Sequence, residues 1–119
     1  MTFTVIDNPD VQKFKKRSGF TNFQFKQLAG LYSRAASQKA LYDIAVDVDF
    51  EAETCTFTYY RSNTYKPYLQ FVIRRVGPHT DMYELYKEGQ GRIARSGLFD
   101  RTFERLEEEV AALMENQKN

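Results

Sequence analysis

Residues 42–87 read YDIAVDVDFEAETCTFTYYRSNTYKPYLQFVIRRVGPHTDMYELYK. Apolar and polar residues alternate through this stretch in successive short segments. Alternation with a period of two residues is typical of a β-strand that has one buried face and one solvent-exposed face. The stretch therefore predicts an antiparallel sheet, and this sheet decides the fold class.

The first two predicted strands form a hairpin whose apolar faces can be matched. Every second residue of the two strands points inward, and the inward set is Ile44, Val46, Val48, Phe50, Cys55, Phe57 and Tyr59. A register that keeps this set on one face pairs Phe50 with Cys55, Val48 with Phe57 and Val46 with Tyr59. It leaves a loop over residues 51–54, a length that suits a hairpin built around a type I turn.

Two further strands follow in the same stretch. Their inward residues are Leu69, Phe71 and Ile73 in the third strand and Tyr83 and Leu85 in the fourth. The third strand ends at Gly77 and Pro78, and the fourth ends before a glycine-containing turn at residues 89–91. The result is a four-stranded meander over residues 42–88. The sequence leaves open whether residues 92–95 add a short strand or a loop.

Two helices are predicted before the sheet, within residues 8–39. Pro9 suits an early position of the first helix, and Gly19 can end it in a left-handed turn. The second helix has a clearer start, because Thr21 and Gln24 have the spacing of a capping box.

A last helix is predicted over residues 97–115, with Ser96 as its cap. Its apolar stripe consists of Phe99, Phe103, Leu106, Val110 and Leu113. A stripe of this length is too short for a coiled coil and indicates a helix that packs on the sheet. We therefore predict one α+β domain over residues 1–119, a two-layer sandwich with its helices on the apolar sheet face.

Composition narrows the class of protein. The chain has 119 residues and a net charge of +1, and no stretch approaches the length of a membrane span. We expect a cytoplasmic protein with no membrane partner, because the first residues lack the pattern of a signal peptide. The single cysteine, Cys55, is predicted to be buried, and the single histidine, His79, lies in a turn with no nucleophile placed beside it. We therefore predict no catalytic residues and no cofactor.

The near-neutral net charge is the sum of unlike segments. Residues 1–40 carry seven basic and two acidic groups, and residues 41–53 carry five acidic and no basic groups. Residues 54–95 carry seven basic and three acidic groups, and residues 96–119 carry three basic and six acidic groups. These segments either compensate one another within the fold, which the near-neutral sum favours, or leave patches that attract a charged partner.

The outward residues of the predicted strands form an unusual polar sheet face. They are Asp47, Asp49, Thr56, Thr58, Tyr60, Tyr68, Gln70, Val72, Arg74, Glu84 and Tyr86. Tyrosine offers a large contact area at low entropic cost and is enriched at recognition interfaces. An ordinary solvent-exposed face is the alternative, because Thr and Tyr also have high strand propensity. We predict that a protein partner contacts Tyr60, Tyr68, Gln70, Arg74, Tyr86, Asp47 and Asp49.

Two smaller site hypotheses concern ions. Arg92 and Arg95 can meet an anion near the start of the last helix, where backbone donors favour negative charge. Asp47 and Asp49 share a face that Glu84 could join, but they lack the additional ligands that a hard cation requires. No metal site is therefore predicted.

The predicted function is that of a small non-catalytic regulatory or assembly protein. One alternative is weak single-stranded RNA binding by the same tyrosines and arginines. The net charge, the lack of an RNA-recognition consensus and the acids Asp47 and Asp49 argue against it. A ligand pocket between helices and sheet, and self-association of the chain, also stay open.

Overall fold

Five consecutive strands pair in sequence order to form one antiparallel sheet. The structure is a computed structural model that describes residues 21–117. It contains α1 (Asn22–Ser37), β1 (Asp43–Asp49), β2 (Thr54–Tyr60), β3 (Pro67–Gly77), β4 (Thr80–Lys87), β5 (Gly91–Ser96) and α2 (Phe99–Gln117). The predicted α+β class and antiparallel meander are confirmed. The first predicted helix, within residues 8–19, lies outside the described residues.

The prediction of four strands is wrong by one, because residues 91–96 form β5. Gly89 and Gly91 have φ angles of 78° and 73°. Glycine enters this left-handed region without the steric cost of a Cβ atom. The turn brings the chain back beside β4, so the sheet extends over residues 43–96 instead of 42–88.

The first hairpin has a different register from the predicted one. Val48, and not Phe50, lies opposite Cys55, a shift of two residues. Because side chains alternate with a period of two, this shift leaves every strand residue on its predicted face. Phe50 itself lies beyond the end of β1 and is 40% exposed, so its predicted place in the core is wrong.

Asp49 causes the earlier turn. Its Oδ1 atom accepts hydrogen bonds from the backbone N–H groups of Glu51 and Ala52, both at 3.0 Å. An aspartate that binds nearby backbone N–H groups in this way stabilises a turn in competition with the strand ladder. Glu53 then adopts a φ of 53° and leads into β2. The loop therefore covers residues 50–53 instead of 51–54.

Helix α1 begins with the predicted capping box. The N–H of Gln24 donates to Thr21 Oγ1 at 3.0 Å, and the N–H of Thr21 donates to Gln24 Oε1 at 2.9 Å. The helix ends at Ser37, two residues before the predicted end, because Lys39 turns into the left-handed region with a φ of 62°.

Helix α2 begins at Phe99, two residues later than predicted. Ser96 Oγ accepts the N–H of Leu98 at 2.9 Å, so it orders the segment before the helix and does not cap the first turn. The predicted apolar stripe of α2 is buried along its whole length. Of the helices within residues 21–117, none has both the length and the apolar character that a bilayer span requires.

Both described helices pack on the same face of the sheet. The hydroxyl of Tyr59 donates to the carbonyl oxygen of Leu28 in α1, and Thr102 Oγ1 in α2 donates to the carbonyl oxygen of Tyr83, each at 2.9 Å. The core between the layers includes Phe25, Leu28, Cys55, Phe57, Tyr59, Leu69, Phe71, Ile73, Leu85, Phe99, Phe103, Leu106 and Val110.

Candidate binding surface on the outer sheet face

The outer face is the side of the sheet opposite α1 and α2. Strand pairing places on it Asp43, Asp47, Asp49, Thr54, Thr56, Thr58, Tyr60, Gln70, Val72, Arg74, Glu84, Tyr86, Arg92 and Arg95. Six of the seven predicted partner-binding residues therefore lie on one surface, whereas Tyr68, which has no strand partner at the β2–β3 bulge, packs against the core. Whether a partner binds there stays a prediction.

Glu84 is the centre of a charged cluster on the outer face. Its side chain is only 3% exposed, and its Oε1 atom accepts hydrogen bonds from Arg74 Nε at 3.2 Å and from the hydroxyl of Tyr86 at 3.0 Å. Its Oε2 atom lies 3.4 Å from Arg95 Nε and 3.6 Å from Arg92 Nη1. We call Arg74, Glu84, Arg92 and Arg95 the arginine cluster.

Strand pairing explains how the cluster forms. Arg95 in β5 lies directly opposite Glu84 in β4, and Arg74 is two residues along β3 from the position opposite Glu84. Arg92 lies opposite Tyr86, because the β4–β5 pairing shifts by one residue between Leu85 and Tyr86. Direct and diagonal cross-strand neighbours are within reach of long side chains. Three arginines from two strands thus meet one carboxylate.

The arginine cluster has an excess of positive charge. It contains three guanidinium groups and one carboxylate, and Glu84 is the only acid of the described residues that pairs with any of these arginines. Burial acts to lower the pKa of Arg74, but the hydrogen bond to Glu84 and its negative charge outweigh this effect and raise that pKa. The cluster therefore carries two net positive charges at neutral pH.

The opposite edge of the outer face is acidic. Asp43, Asp47 and Asp49 are exposed on the edge strand β1 and form no ion pair with another described residue. Asp47 and Glu84 belong to the same cross-strand row, three strands apart, which corresponds to about 14 Å. The acids and the arginine cluster are thus separate features of one surface.

Uncharged polar and aromatic residues lie between these charged ends. Tyr60 is half-buried there, whereas Tyr68 packs against the core and has the guanidinium carbon of Arg61 at 5.1 Å from its ring centroid, a cation–π geometry. Gln70 Nε2 donates to Thr58 Oγ1 at 3.4 Å. The middle of the face therefore offers rings and hydrogen-bonding groups that are already held in place.

Arg92 and Arg95 lie in β5, on the outer face beside Glu84. Their predicted contact with an anion near the start of the last helix stays a prediction. Sequence reasoning missed the central position of Glu84. The outward position of Glu84 was visible in the alternation, but its partners depend on a fifth strand that the sequence left open.

The described residues contain no group of three or more His, Cys, Asp or Glu side chains placed to hold a metal ion. Cys55 is fully buried, and burial together with the negative charge of Asp47 raises the pKa of its thiol to about 12. His79 is exposed in the turn between β3 and β4.

A cleft of about 340 Å³ opens at one end of β1 and β2. It is lined by residues that include Tyr42, Asp43, Tyr60, Asn63 and Tyr65. These residues belong to the edge of the sheet and the β2–β3 loop. The cleft is therefore not the ligand pocket between helices and sheet that the sequence left open as an alternative.

Comparisons with protein-family models, with curated protein sequences and with solved structures gave no match. The functional argument therefore depends on the geometry of the outer face.

Proposed function

We propose that this chain is a non-catalytic binding domain that holds a protein partner against its outer face, in a regulatory or assembly role. The observation that carries the proposal is the separation of charge on this face. The arginine cluster lies on β3–β5, whereas Asp43, Asp47 and Asp49 lie on β1. Between them lie Thr56, Tyr60 and Gln70, which are half-buried, and Thr54, Thr58 and Val72, which are buried.

A folded or extended protein segment is the partner that such a surface suits. It can present acidic groups to the arginine cluster and basic groups to β1 at a fixed separation. Electrostatic complementarity of this kind sets the orientation of a partner and excludes others more than it adds affinity. The half-buried rings of Tyr60 and Tyr86 supply contact area on the surface.

Single-stranded RNA fits this surface less well. Its backbone carries a negative charge at every nucleotide, so a strand that crosses the sheet from the arginine cluster would meet Asp47 and Asp49 on β1. Sheet platforms that bind RNA combine stacked rings with positive charge along the whole path. Here the arginine cluster supplies positive charge at one end of the face, and the three aspartates of β1 supply negative charge at the other.

The test is affinity capture from an extract of the native cells, with quantitative mass spectrometry of the retained proteins. Four forms of the chain are compared: the wild type, Tyr60→Ala, Arg95→Glu and the control Arg101→Glu. Arg101 is exposed on α2 and lines a shallow depression with Glu104 and Glu108, away from the outer face. The two arginine variants make the same change in net charge.

We expect a protein that the wild type and Arg101→Glu retain equally and that both outer-face variants lose. Equal recovery by all four forms would overturn the proposal. Loss of the partner after nuclease treatment, together with direct binding of single-stranded RNA by the purified chain, would favour RNA instead. A dimer that Arg95→Glu abolishes in sedimentation experiments would make the partner a second copy of the chain.

A further inference from the structure

The arginine cluster has three features of a preformed anion site. Its guanidinium groups converge on one point of the outer face, because Arg74, Arg92 and Arg95 all contact Glu84. Their side chains remain 38%, 49% and 43% exposed, so a ligand can reach them. Two of them contact Glu84 through Nε, an arrangement that holds the guanidinium plane in place.

We propose that the arginine cluster binds a phosphoryl group carried by the protein partner. This inference rests on the proposed function and names the group that the partner presents. A phosphoryl group carries close to two negative charges at neutral pH and has three acceptor oxygens. The cluster has two positive charges in excess and three guanidinium groups, which bind phosphate oxygens in a bidentate manner.

Glu84 positions the arginines and does not contact the ligand. Three arginines in proximity repel one another, and a buried carboxylate at their centre keeps them together in the free protein. The hydroxyl of Tyr86 donates to the same carboxylate and fixes it further. Side-chain ordering is thus completed before the ligand arrives, which lowers the entropic cost of binding.

Charge around the cluster favours a single phosphoryl group over a nucleic acid. The nearest outer-face acids in the rows of the cluster are Asp47 and Asp49 on β1, two to three strands away, at about 10–14 Å. One phosphoryl group bound at the arginine cluster is too far from these acids to be strongly repelled by them. A chain of phosphates that crosses the sheet comes close to them.

The experiment uses the full chain with ¹⁵N-labelled arginine and NMR detection of the Nε–Hε groups. The chain is titrated at constant ionic strength with N-acetyl-phosphoserine amide, and separately with N-acetyl-serine amide, inorganic phosphate and a single-stranded RNA oligonucleotide. The variants are Arg92→Gln, Arg92→Lys and the control Arg101→Gln. Arg92 is chosen because its contact with Glu84 is the longest of the three, so the fold tolerates its loss best.

We expect phosphoserine amide, and not serine amide, to shift the Arg74, Arg92 and Arg95 signals to saturation. Loss of a charged hydrogen-bonding group should weaken this binding about tenfold in Arg92→Gln. Arg92→Lys should recover only part of the affinity, because lysine keeps the charge but not the bidentate geometry. The Arg101→Gln form should bind like the wild type.

The absence of saturable shifts in the wild-type protein would overturn the proposal, whatever the variants do. Tighter binding of the RNA than of phosphoserine amide at the same three arginines would assign the site to a nucleic acid. Binding of inorganic phosphate as tight as that of phosphoserine amide would show that the site does not require a phosphoryl group carried by a protein. Phosphatase treatment of the extract separates this inference from the proposed function. A partner that is still captured through the outer face after dephosphorylation would refute the phosphoryl site alone.

Discussion

The hydroxyl of Tyr59 donates a hydrogen bond to the carbonyl oxygen of Leu28 over 2.9 Å, and both residues are 0% exposed. This bond joins β2 to α1 across the core. Burial raises the pKa of Tyr59 above its ordinary value, so the hydroxyl stays a donor throughout the neutral range. The contact orients the helix layer over the apolar face of the sheet, opposite the outer face.

Tyr59→Phe should lower the free energy of unfolding by about 1–2 kcal/mol, since the carbonyl oxygen of Leu28 loses a buried donor. Urea denaturation followed by circular dichroism measures the change. Tyr60→Phe removes the hydroxyl of a half-buried ring on the outer face and should stay within about 0.5 kcal/mol of the wild type. Equal losses in the two variants would contradict the role assigned to the Tyr59 hydroxyl.

Glu84→Gln should destabilise the protein in a manner that depends on salt. The three arginines lose the negative charge that holds them together, which we expect to cost about 1–3 kcal/mol at low ionic strength. Because salt screens the repulsion between exposed charges, the deficit should shrink in about 0.5 M NaCl. Urea titrations at both salt concentrations provide the measurement.

The control for this prediction is Glu88→Gln. Glu88 lies 3.7 Å from Lys66 in an exposed ion pair, so its change should stay below about 1 kcal/mol. A Glu84→Gln deficit that is the same at low and high salt would show that repulsion among the arginines is not its cause.

Lys87 and Glu109 should make stability depend on pH at both ends of the range. Lys87 Nζ lies 2.7 Å from Glu109 Oε1, and Arg105 also contacts this carboxylate. Burial acts to raise the pKa of Glu109, but the hydrogen bonds from Lys87 and Arg105 outweigh it and lower that pKa from its ordinary value of 4.5. The hydrogen bond to Glu109 raises the pKa of Lys87 above 10.5, and burial opposes it only in part.

The sign of each effect follows from linkage. Because the pKa of Glu109 is lowered in the folded state, this residue stabilises the protein above pH 4.5. The stabilisation is lost as the pH falls through the folded-state pKa of Glu109. Because the pKa of Lys87 is raised in the folded state, Lys87 stabilises the protein below pH 10.5. This stabilisation is lost as the pH rises through the folded-state pKa of Lys87. Glu109→Gln should therefore be less stable than the wild type by about 1–2 kcal/mol at neutral pH, and the difference should shrink as the pH falls through the folded-state pKa of Glu109.

Thermal denaturation between about pH 3 and pH 7 tests this prediction through the two melting temperatures. Glu104→Gln is the matched control, because Glu104 is an exposed acid of the same helix. A Glu109→Gln deficit that persists unchanged at the acidic end would contradict the ion-pair explanation.

Cys55 should be inert to thiol reagents in the folded protein. It is fully buried, and the pKa of its thiol is raised to about 12, so little thiolate forms near neutral pH. The reaction with an aromatic disulfide, followed by absorbance at about pH 8, should be roughly a hundredfold faster in denaturing urea than in buffer. Ser62→Cys supplies an exposed thiol in the β2–β3 loop that should react at once in the native state. Rapid native labelling of Cys55 itself would show that the core opens readily.

Local sequence signals account for the elements that the prediction placed correctly. Thr21 and Gln24 form their predicted capping box because both partners lie within one helical turn. The alternation in β1 and β2 assigned each strand residue to its face even though the register was wrong, because a shift of two residues conserves the face. Phe50 was misplaced because the hydrogen bonds of Asp49 begin the turn earlier than apolar matching suggests.

The sequence by itself determined the α+β class, the antiparallel meander and the polar residues of the outer face, because the two-residue period of a strand is a local property of the chain. Only the tertiary structure decided that Arg92 and Arg95 meet Glu84. Three residues apart in a regular strand, they would point to opposite faces. The irregular pairing of β5 with β4 adds one residue between them and turns both guanidinium groups to the same carboxylate.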